Sequence, residues 1–236
     1  MRIKVMQDIM AANDLIAREN RRIFAQHGVF VVNLMSSPGA GKTTLLERTL
    51  AALKDEFAIA VIEGDIRGQL DAERIGRYGV PVLQINTGGE CHLDANMIRN
   101  ALDRLDLDGR ELLIIENVGN LVCPAEFKVG EDRKVMILSV PEGDDKPYKY
   151  PLMFMESQAM VINKIDLLGM VDFDVEKVEQ AVLALNPEMD IFRLSCKTGE
   201  GLDTWLDWLR GQVMTPEEYH ALVKSEVTGK KDEPAA

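Results

Sequence analysis

The sequence lacks an apolar run of the length that a membrane-spanning helix requires, about 18 residues or more. Its first residues also lack the uninterrupted apolar core of a secretory signal peptide. Its three cysteines are an odd number, which argues against a framework of disulfide bonds and for a reducing compartment. We therefore expect a cytoplasmic protein that does not act on a membrane.

Basic residues are also scarce, at 27 Lys and Arg against 39 Asp and Glu. Proteins that bind nucleic acid neutralise phosphates with clustered Lys and Arg, so the net charge of −12 predicts no nucleic-acid partner. A length of 236 residues provides one large domain or two small ones, with enough chain for a buried core.

A glycine-rich turn, SSPGAGKTT at residues 36–44, joins a strand-like run to a helix-like run. In such a loop the backbone N–H groups surround a phosphate at the positive end of the following helix. Lys42 would contact the outer phosphates and Thr43 would bind Mg²⁺, although Ser36 replaces the first glycine of the motif. We predict a nucleoside triphosphate site formed by Gly39, Ala40, Gly41, Lys42, Thr43 and Thr44.

Two later motifs indicate which base is bound. Asn163 and Lys164 precede Asp166 at the end of a short apolar strand, and the Asp166 carboxylate can accept hydrogen bonds from guanine N1–H and its exocyclic amine. Adenine would leave that carboxylate unpaired. A further strand ends in Ser195-Cys196-Lys197, an element that backs the base in GTPases, with Cys196 as a small buried residue. The sequence therefore predicts GTP.

Acidic residues follow two other predicted strands, where hydrolysis needs groups that hold Mg²⁺ and place a water. Glu116 and Gly119 form E-x-x-G in the position where many GTPases carry D-x-x-G, with the glycine N–H near the γ-phosphate. Thr43, Asp65 and Glu116 are therefore the candidate Mg²⁺ ligands. Asp71 either positions the attacking water or caps a helix.

Strand and helix patterns alternate along the chain, which predicts an α/β, P-loop NTPase fold: a mostly parallel sheet flanked by helices, with ligand loops at the carboxyl ends of the strands. Residues 1–28 are predicted to form a helix that packs on the domain, and residues 29–214 a GTPase domain with a metal site. Residues 215–236 are predicted to form a short helix and a disordered tail. The predicted strands are 29–35, 58–62, 81–86, 111–116, 134–140, 159–163 and 191–195.

Cys91, His92 and Cys123 leave the same edge of the predicted sheet as the triphosphate. Two thiolates and an imidazole suit Ni²⁺ or Zn²⁺, and three ligands leave a coordination position open for a metal that is handed on. On spacing alone, a cysteine and a histidine buried in the core remain the alternative.

These motifs together resemble the hydrogenase nickel-incorporation GTPases, maturation factors of [NiFe] hydrogenases. The segments that carry the resemblance are TGGECHL at 87–93, ENVGNLVCP at 116–124 and EGDDKP at 142–147, with the glycine-rich turn and Asn163–Asp166. The resemblance implies a fold of the signal-recognition/MinD-like GTPase class, slow GTP hydrolysis and a GTP-dependent homodimer. It implies a metal site at the dimer interface, formed by Cys91, His92 and Cys123.

The same resemblance implies other nickel-insertion maturation proteins and the hydrogenase large subunit as partners. Some members carry a Cys-rich or His-rich stretch before the GTPase domain, whereas this chain has no cysteine before Cys91 and only His27 before it. We therefore expect nickel to be bound at the GTPase-domain site or by a partner. The alternatives are a urease-accessory-type nickel GTPase, which carries Cys-Pro-His where this chain has Cys123-Pro124-Ala125, and a regulatory GTP-binding module with structural zinc.

Lysines after the strand at 134–140 lie at the ligand edge of the predicted sheet. Lys149, and after it Lys146, is a candidate to reach the nucleotide of a partner across the dimer, as an activating cation does in trans. A solvated surface lysine is the alternative for each.

Overall fold

The computed structural model describes residues 5–66 and 70–213, which form a seven-stranded parallel sheet with helices on both faces. The strands lie in the order β3-β2-β4-β1-β5-β6-β7. They are β1 (Phe30–Ser36), β2 (Ile59–Asp65), β3 (Val82–Asn86), β4 (Leu112–Glu116), β5 (Arg133–Ser139), β6 (Ala159–Asn163) and β7 (Asp190–Arg193). The predicted P-loop NTPase fold is confirmed.

Nine α-helices precede, connect or follow these strands in the described residues. They are α1 (Val5–His27), α2 (Lys42–Leu53), α3 (Leu70–Gly76), α4 (Ala95–Leu102), α5 (Cys123–Glu126), α6 (Lys146–Lys149), α7 (Pro151–Met155), α8 (Val175–Leu185) and α9 (Leu202–Gln212). No helix in the described part of the chain is long and apolar enough to cross a membrane.

Apolar side chains on both faces of each central strand explain why the sheet is buried. On one face Val32 and Leu34 of β1 pack with Leu46 of α2 and Trp205 of α9. On the other face Val31 packs in a core with residues of α1 and α4, and Met35 in a core with residues of α7 and α8. This burial fixes the register, because a shift by one residue would exchange the two faces.

The register decides which side chains meet at the carboxyl edge of the sheet. β1 lies between β4 and β5, so the glycine-rich turn that follows Ser36 lies beside the loop that follows Glu116. β2 lies on the far side of β4, and its residue Glu63 is the Cα partner of Glu116. Three chain segments that are distant in sequence therefore converge on one pocket.

The observed strands lie within three residues of the predicted bounds, as expected for apolar runs that end in polar turns. The helices α5, α6 and α7 were not predicted, because they have four or five residues each and cannot show a helical period. Each has a proline in its first turn, a position that proline tolerates in a helix. The predicted short helix and tail at 215–236 lie outside the described residues.

Two glycines of the last helix provide a test of this packing. Gly201 is the N-cap that precedes α9, with φ +72, and a Cβ there would collide with the carbonyl oxygen of Arg193. Gly201→Ala should lower the free energy of unfolding by about 1 to 3 kcal/mol. Gly211 lies within α9 with open space around it, so Gly211→Ala should instead raise it by up to about 1 kcal/mol. Urea unfolding of both variants measures this, and equal effects would contradict the placement of Gly201.

Candidate nucleotide and metal sites

The turn between β1 and α2 has the backbone that a phosphate-binding loop needs. Gly39 and Gly41 have φ values of +78 and +104, which side-chain-bearing residues rarely adopt. A Cβ at Gly41 would also collide with Nδ2 of Asn163. The glycines are therefore required both by the backbone conformation and by the close approach of the β6 loop.

The first residues of α2 point into a cavity of about 490 Å³. Lys42 is buried, and its Nζ donates to Oγ of Ser36 at 3.0 Å. Burial lowers the pKa of Lys42, while the nearby carboxyl of Glu116 opposes that shift. Thr43 donates from Oγ1 to Oε1 of Glu116 at 2.7 Å. The predicted ligands Thr43 and Glu116 are thus in direct contact, at the end of the cavity that also contains Gly119.

A second buried acid, Glu63, lies beside Glu116 on the neighbouring strand. Glu63 is 3% exposed and Glu116 4% exposed, and one carboxylate oxygen of each, Oε2, has no hydrogen-bond partner among the described residues. Burial raises the pKa of Glu63 to about 8, with Glu116 as the second cause, and burial raises the pKa of Glu116 to about 7. Unpartnered buried carboxylates beside a threonine hydroxyl are hard oxygen donors, so these residues fit Mg²⁺.

Sequence reasoning did not assign Glu63 a role, although it stands two residues before Asp65. The signal that would have identified it is the adjacency of β2 and β4, which is a property of the tertiary fold. Asp65 itself is half-buried, lines the cavity, and accepts from the backbone N–H of Ile66 through Oδ1 at 2.6 Å.

Asp71 lies in the first turn of α3, after the helix has begun at Leu70, so the interpretation of Asp71 as a helix cap is wrong. Its Oδ1 accepts from Nη1 of Arg74 at 2.9 Å, and Arg74 also pairs with Glu47 at 2.6 Å. Asp71 and Arg74 both line the cavity. This arrangement leaves Asp71 available to contact a water in the cavity, held in place by the guanidinium.

The residues that the N-K-x-D motif predicts for base recognition line a cavity next to the phosphate loop. Asn163 donates from Nδ2 to the carbonyl of Ala40 at 2.9 Å, and its Oδ1 accepts from the N–H groups of Lys164 and Cys196. Lys164 has a φ of +63 and donates from Nζ to the carbonyl of Gly39 at 2.6 Å. The N-K-x-D segment is therefore attached to the phosphate loop by two side chains.

Asp166 and the Ser-x-Lys element meet, as the motif predicts. Ser195 donates from Oγ to Oδ1 of Asp166 at 2.6 Å, and Nζ of Lys197 lies 3.9 Å from Oδ2. Because Lys197 is 81% exposed, that ion pair contributes little. Cys196 is buried, and burial raises the pKa of its thiol to about 11, so it is an inert core residue beside the base pocket.

The three predicted metal ligands converge on the same sheet edge. The Sγ atoms of Cys91 and Cys123 are 3.2 Å apart, and Nδ1 of His92 is 3.8 Å from Sγ of Cys91. All three ligand atoms lie within 4.8 Å of one another, and all three residues are half-buried. Thiolates bound to one tetrahedral zinc would be roughly 3.8 Å apart, so little movement would be needed to hold an ion.

The surroundings of the cluster favour metal binding by neutral imidazole. Burial lowers the pKa of His92, and its ring lies 4.2 Å from the ring of Phe127. Burial first, the hydrogen bond with the Cys91 thiol second and the charge of a Cys91 thiolate third raise the pKa of Cys123. Asn120 donates from Nδ2 to the carbonyl of Cys91 at 3.3 Å and joins the two arms of the cluster.

Lys149 and Lys146 lie away from the nucleotide cavity of their own chain. Lys149 is 60% exposed and forms an ion pair with Asp145. Lys146 is more buried and donates from Nζ to the carbonyl of Glu142 at 2.6 Å. Glu142 in turn accepts from Ser37 of the phosphate loop, which places the EGDDKP segment against the site. The exposed Lys149 is the one that a partner could reach.

Comparison with known proteins gives concordant matches. A model of the CobW/HypB/UreG nucleotide-binding domain matches residues 30–193. Hydrogenase maturation factor HypB of Escherichia coli is 52% identical over 210 residues, which are 89% of this chain and 72% of that protein. The probable HypB of Methanocaldococcus jannaschii is 42% identical over 211 residues, 89% of this chain and 96% of that protein.

A solved structure agrees with these sequence matches. The crystal structure of HypB from Helicobacter pylori in complex with nickel has a TM-score of 0.82 and 43% sequence identity to this chain. The match covers 88% of this chain and 97% of that one.

The buried acid pair leads to a prediction about Glu63. Because burial raises the pKa of Glu63 to about 8, folding at neutral pH carries the cost of protonating this acid, and Glu63→Gln removes that cost, so it should raise the free energy of unfolding of the metal-free protein by about 1 to 3 kcal/mol at neutral pH. The same change should weaken Mg²⁺-dependent nucleotide binding, because an oxygen donor loses its charge. Denaturant unfolding and Mg²⁺ titration of a fluorescent guanine nucleotide measure the two effects.

Glu73→Gln is the matched control, because Glu73 is an exposed acid on α3 and the substitution makes the same change from carboxyl to amide. It should leave both quantities close to wild type. Unchanged Mg²⁺ dependence in Glu63→Gln would remove Glu63 from the Mg²⁺ site.

Proposed function

Because this chain belongs to the CobW/HypB/UreG nucleotide-binding family, we propose that it is a GTP-hydrolysing metallochaperone that assists nickel insertion into [NiFe] hydrogenase. The observation that carries the proposal is the position of one loop between two sites. Glu116 and Gly119 line the nucleotide cavity, and Cys123, seven residues after Glu116, belongs to the thiol–imidazole cluster. A loop that responds to the nucleotide would thus shift a metal ligand directly.

In the proposed reaction, a water attacks the γ-phosphorus of GTP, the bond to the β–γ bridging oxygen breaks, and GDP and phosphate leave. Lys42 and the N–H groups of the phosphate loop neutralise the charge that develops on the phosphate oxygens. Mg²⁺ bound by Thr43, Glu116 and Asp65 would add further charge neutralisation. Asp71, held by Arg74 at the cavity, would orient the water, with Asp65 as the other candidate.

Nickel is the cargo in this proposal. Two thiolates and an imidazole are soft and borderline donors that suit Ni²⁺ or Zn²⁺, and a three-ligand site keeps a position open through which the ion can be passed on. The neighbour solved in complex with nickel supports the choice of nickel. Partial exposure of all three residues supports access by a partner protein.

The proposal extends to assembly. A GTP-dependent homodimer would bring the clusters of two chains together, and the exposed Lys149 would contact the nucleotide of the partner subunit. Other nickel-insertion maturation proteins and the hydrogenase large subunit would be the partners that supply and receive the ion.

The family model also covers urease accessory GTPases, which provides the second candidate function. In this chain Cys123 and Pro124 are followed by Ala125 in α5, whereas a contiguous Cys-Pro-His would place an imidazole there. The donor set assembled from two loops therefore favours the hydrogenase assignment. A regulatory module with structural zinc would instead have the same metal affinity with GDP and with GTP bound.

The choice of base is tested by Asp166→Asn. Loss of the charged acceptor should weaken GTP binding by about 2 to 3 kcal/mol, roughly 30- to 150-fold in Kd. Binding of xanthosine triphosphate should improve relative to GTP. Xanthine has a carbonyl oxygen where guanine has its exocyclic amine, and the side-chain amide N–H of the Asp166→Asn variant can donate to that oxygen. Competition against a fluorescent GTP analogue measures both affinities.

Asp172→Asn makes the same charge change at an exposed residue outside the base pocket and should bind GTP as wild type does. If Asp166→Asn binds GTP with wild-type affinity, Asp166 does not read the base.

The coupling of metal to nucleotide is tested by a Ni²⁺ titration of the protein with GDP and with a non-hydrolysable GTP analogue. The molecular mass of the protein is measured in both states. The Ni²⁺ Kd should differ between the two states, and the GTP-analogue state should have the mass of a dimer. By linkage, Ni²⁺ should then change nucleotide affinity by the same factor. Cys123→Ala should weaken Ni²⁺ binding and abolish the difference between the states.

Cys196→Ala removes a thiol that lies outside the cluster and should keep the wild-type Ni²⁺ affinity. Equal Ni²⁺ affinity in both nucleotide states of the wild type would overturn the metallochaperone proposal. Retained binding in Cys123→Ala would move the metal site elsewhere.

A further inference from the structure

A buried amide, Asn117, joins the nucleotide loop to the segment that carries Cys91 and His92. Asn117 is 1% exposed, and its Oδ1 accepts from the backbone N–H of Leu93 at 3.0 Å and from that of Val118 at 2.9 Å. Its Nδ2 donates to Oδ1 of Asn33 on β1 at 3.2 Å. The bond to Leu93 spans 24 residues of sequence and ends one residue from His92.

Leu93 is held from a second side by the strand that carries Glu63. Leu93 is fully buried, and a Cβ placed on Gly64 would lie 2.7 Å from its side chain, so the leucine fills the space above that glycine. Gly64 stands between Glu63 and Asp65, both of which line the nucleotide cavity. The residue after His92 is thus seated between the carboxyl ends of β2 and β4.

The residues on either side of Asn117 contact the phosphate loop and the first turn of α2. Asn117 follows Glu116, which contacts Thr43, and precedes Gly119, whose added Cβ would lie 3.0 Å from Cα of Pro38 in the phosphate loop. The loop therefore packs directly on the segment that surrounds the triphosphate. A triphosphate in the cavity would therefore contact this loop directly.

We propose that Asn117 is the positioning residue that transmits the nucleotide state to the Cys91–His92 arm of the metal site, an inference that rests on the function proposed above. Breaking the hydrogen bond between the Leu93 N–H and Oδ1 of Asn117 is costly. The N–H of Leu93 is buried, and losing its acceptor would cost the full desolvation penalty of that group. When the loop moves, Leu93 and His92 follow the Asn117 side chain. The loop then shifts all three ligands, since Cys123 is part of the same loop.

The experiment measures one ratio, the Kd for Ni²⁺ in GDP divided by that in a non-hydrolysable GTP analogue. Asn117→Ala removes the acceptor, and its ratio should fall to within about twofold of one. Asn117→Asp keeps an oxygen acceptor in the same place and should retain the wild-type ratio. It can accept from Asn33, whose Nδ2 has no partner among the described residues, if that amide turns over.

Asn86→Ala is the matched control. Asn86 is an exposed amide on the same arm whose Oδ1 accepts only locally, from the N–H of Gly88 at 3.0 Å. Its ratio should equal that of wild type. The reciprocal measurement, the change in GTP-analogue affinity on adding Ni²⁺, should be lost by the same factor in Asn117→Ala, which a general loss of stability would not produce.

If circular dichroism shows that Asn117→Ala is unfolded, Asn117→Ser replaces it. The shorter hydroxyl can serve the adjacent Val118 N–H but does not reach that of Leu93, so its ratio should also fall towards one. A wild-type ratio in a folded Asn117→Ala or Asn117→Ser protein overturns the inference and leaves the proposed function standing. A ratio of one in the wild-type protein overturns both.

Discussion

The arrangement of the whole site depends on two carboxylates that the parallel register places side by side. Glu63 and Glu116 are Cα partners on adjacent strands, so their side chains share one face of the sheet and lie next to each other at its carboxyl edge. Both are buried, which is costly for like charges in a medium of low dielectric. The Lys42 ammonium and the Thr43 hydroxyl compensate in part, yet one oxygen of each acid remains without a partner. The pocket therefore fits a cation such as Mg²⁺.

The two strands that carry these acids are also connected to the thiol–imidazole cluster. The strand that carries Glu116 continues into residues 117–123, which pass the phosphate loop and end at Cys123. The strand that carries Glu63 presents Gly64, against which Leu93 of the other metal arm is seated. Each arm of the thiol–imidazole cluster is thus attached to one of the two acids. The cavity that we propose for the nucleotide and Mg²⁺ is therefore connected to the cluster by direct contacts, without a long path through the core.

Sequence alone predicts the parts of this arrangement that are local in the chain. The buried strands are visible as apolar runs, and the phosphate and guanine motifs follow them with the expected turn residues. Cys91, His92 and Cys123 are placed at one edge because each follows a predicted strand, and the structure brings all three together. These are consequences of topology, since parallel strands end on the same side of a sheet.

The contacts that depend on strand order and register are not predictable in this way. Nothing in the residues around Glu63 reveals that Glu116 is its neighbour, because that requires β2 to lie next to β4. The bond from Asn117 to Leu93 likewise needs the positions of two loops that are 24 residues apart. The Asp71 interpretation as a cap failed because the sequence offered no signal for where α3 begins. Such contacts become visible only when tertiary structure fixes the distances.

The contacts of the N-terminal helix α1 are likewise not predictable from sequence alone. This helix contacts the segments that carry the predicted metal ligands. In the structure α1 packs on the sheet domain through buried residues that include Asn13 and Asn20, which lie seven residues apart. Asn13 accepts from the N–H of Ala95 and donates to the carbonyl of Lys128, and Asn20 donates to the carbonyls of Ala95 and Val129. Ala95 lies three residues after His92, and Lys128 follows Phe127, the ring that packs on His92. Asn13 and Asn20 thus attach α1 both to the segment that follows His92 and to the segment that follows Cys123, so one helix links the two segments that carry the predicted metal ligands.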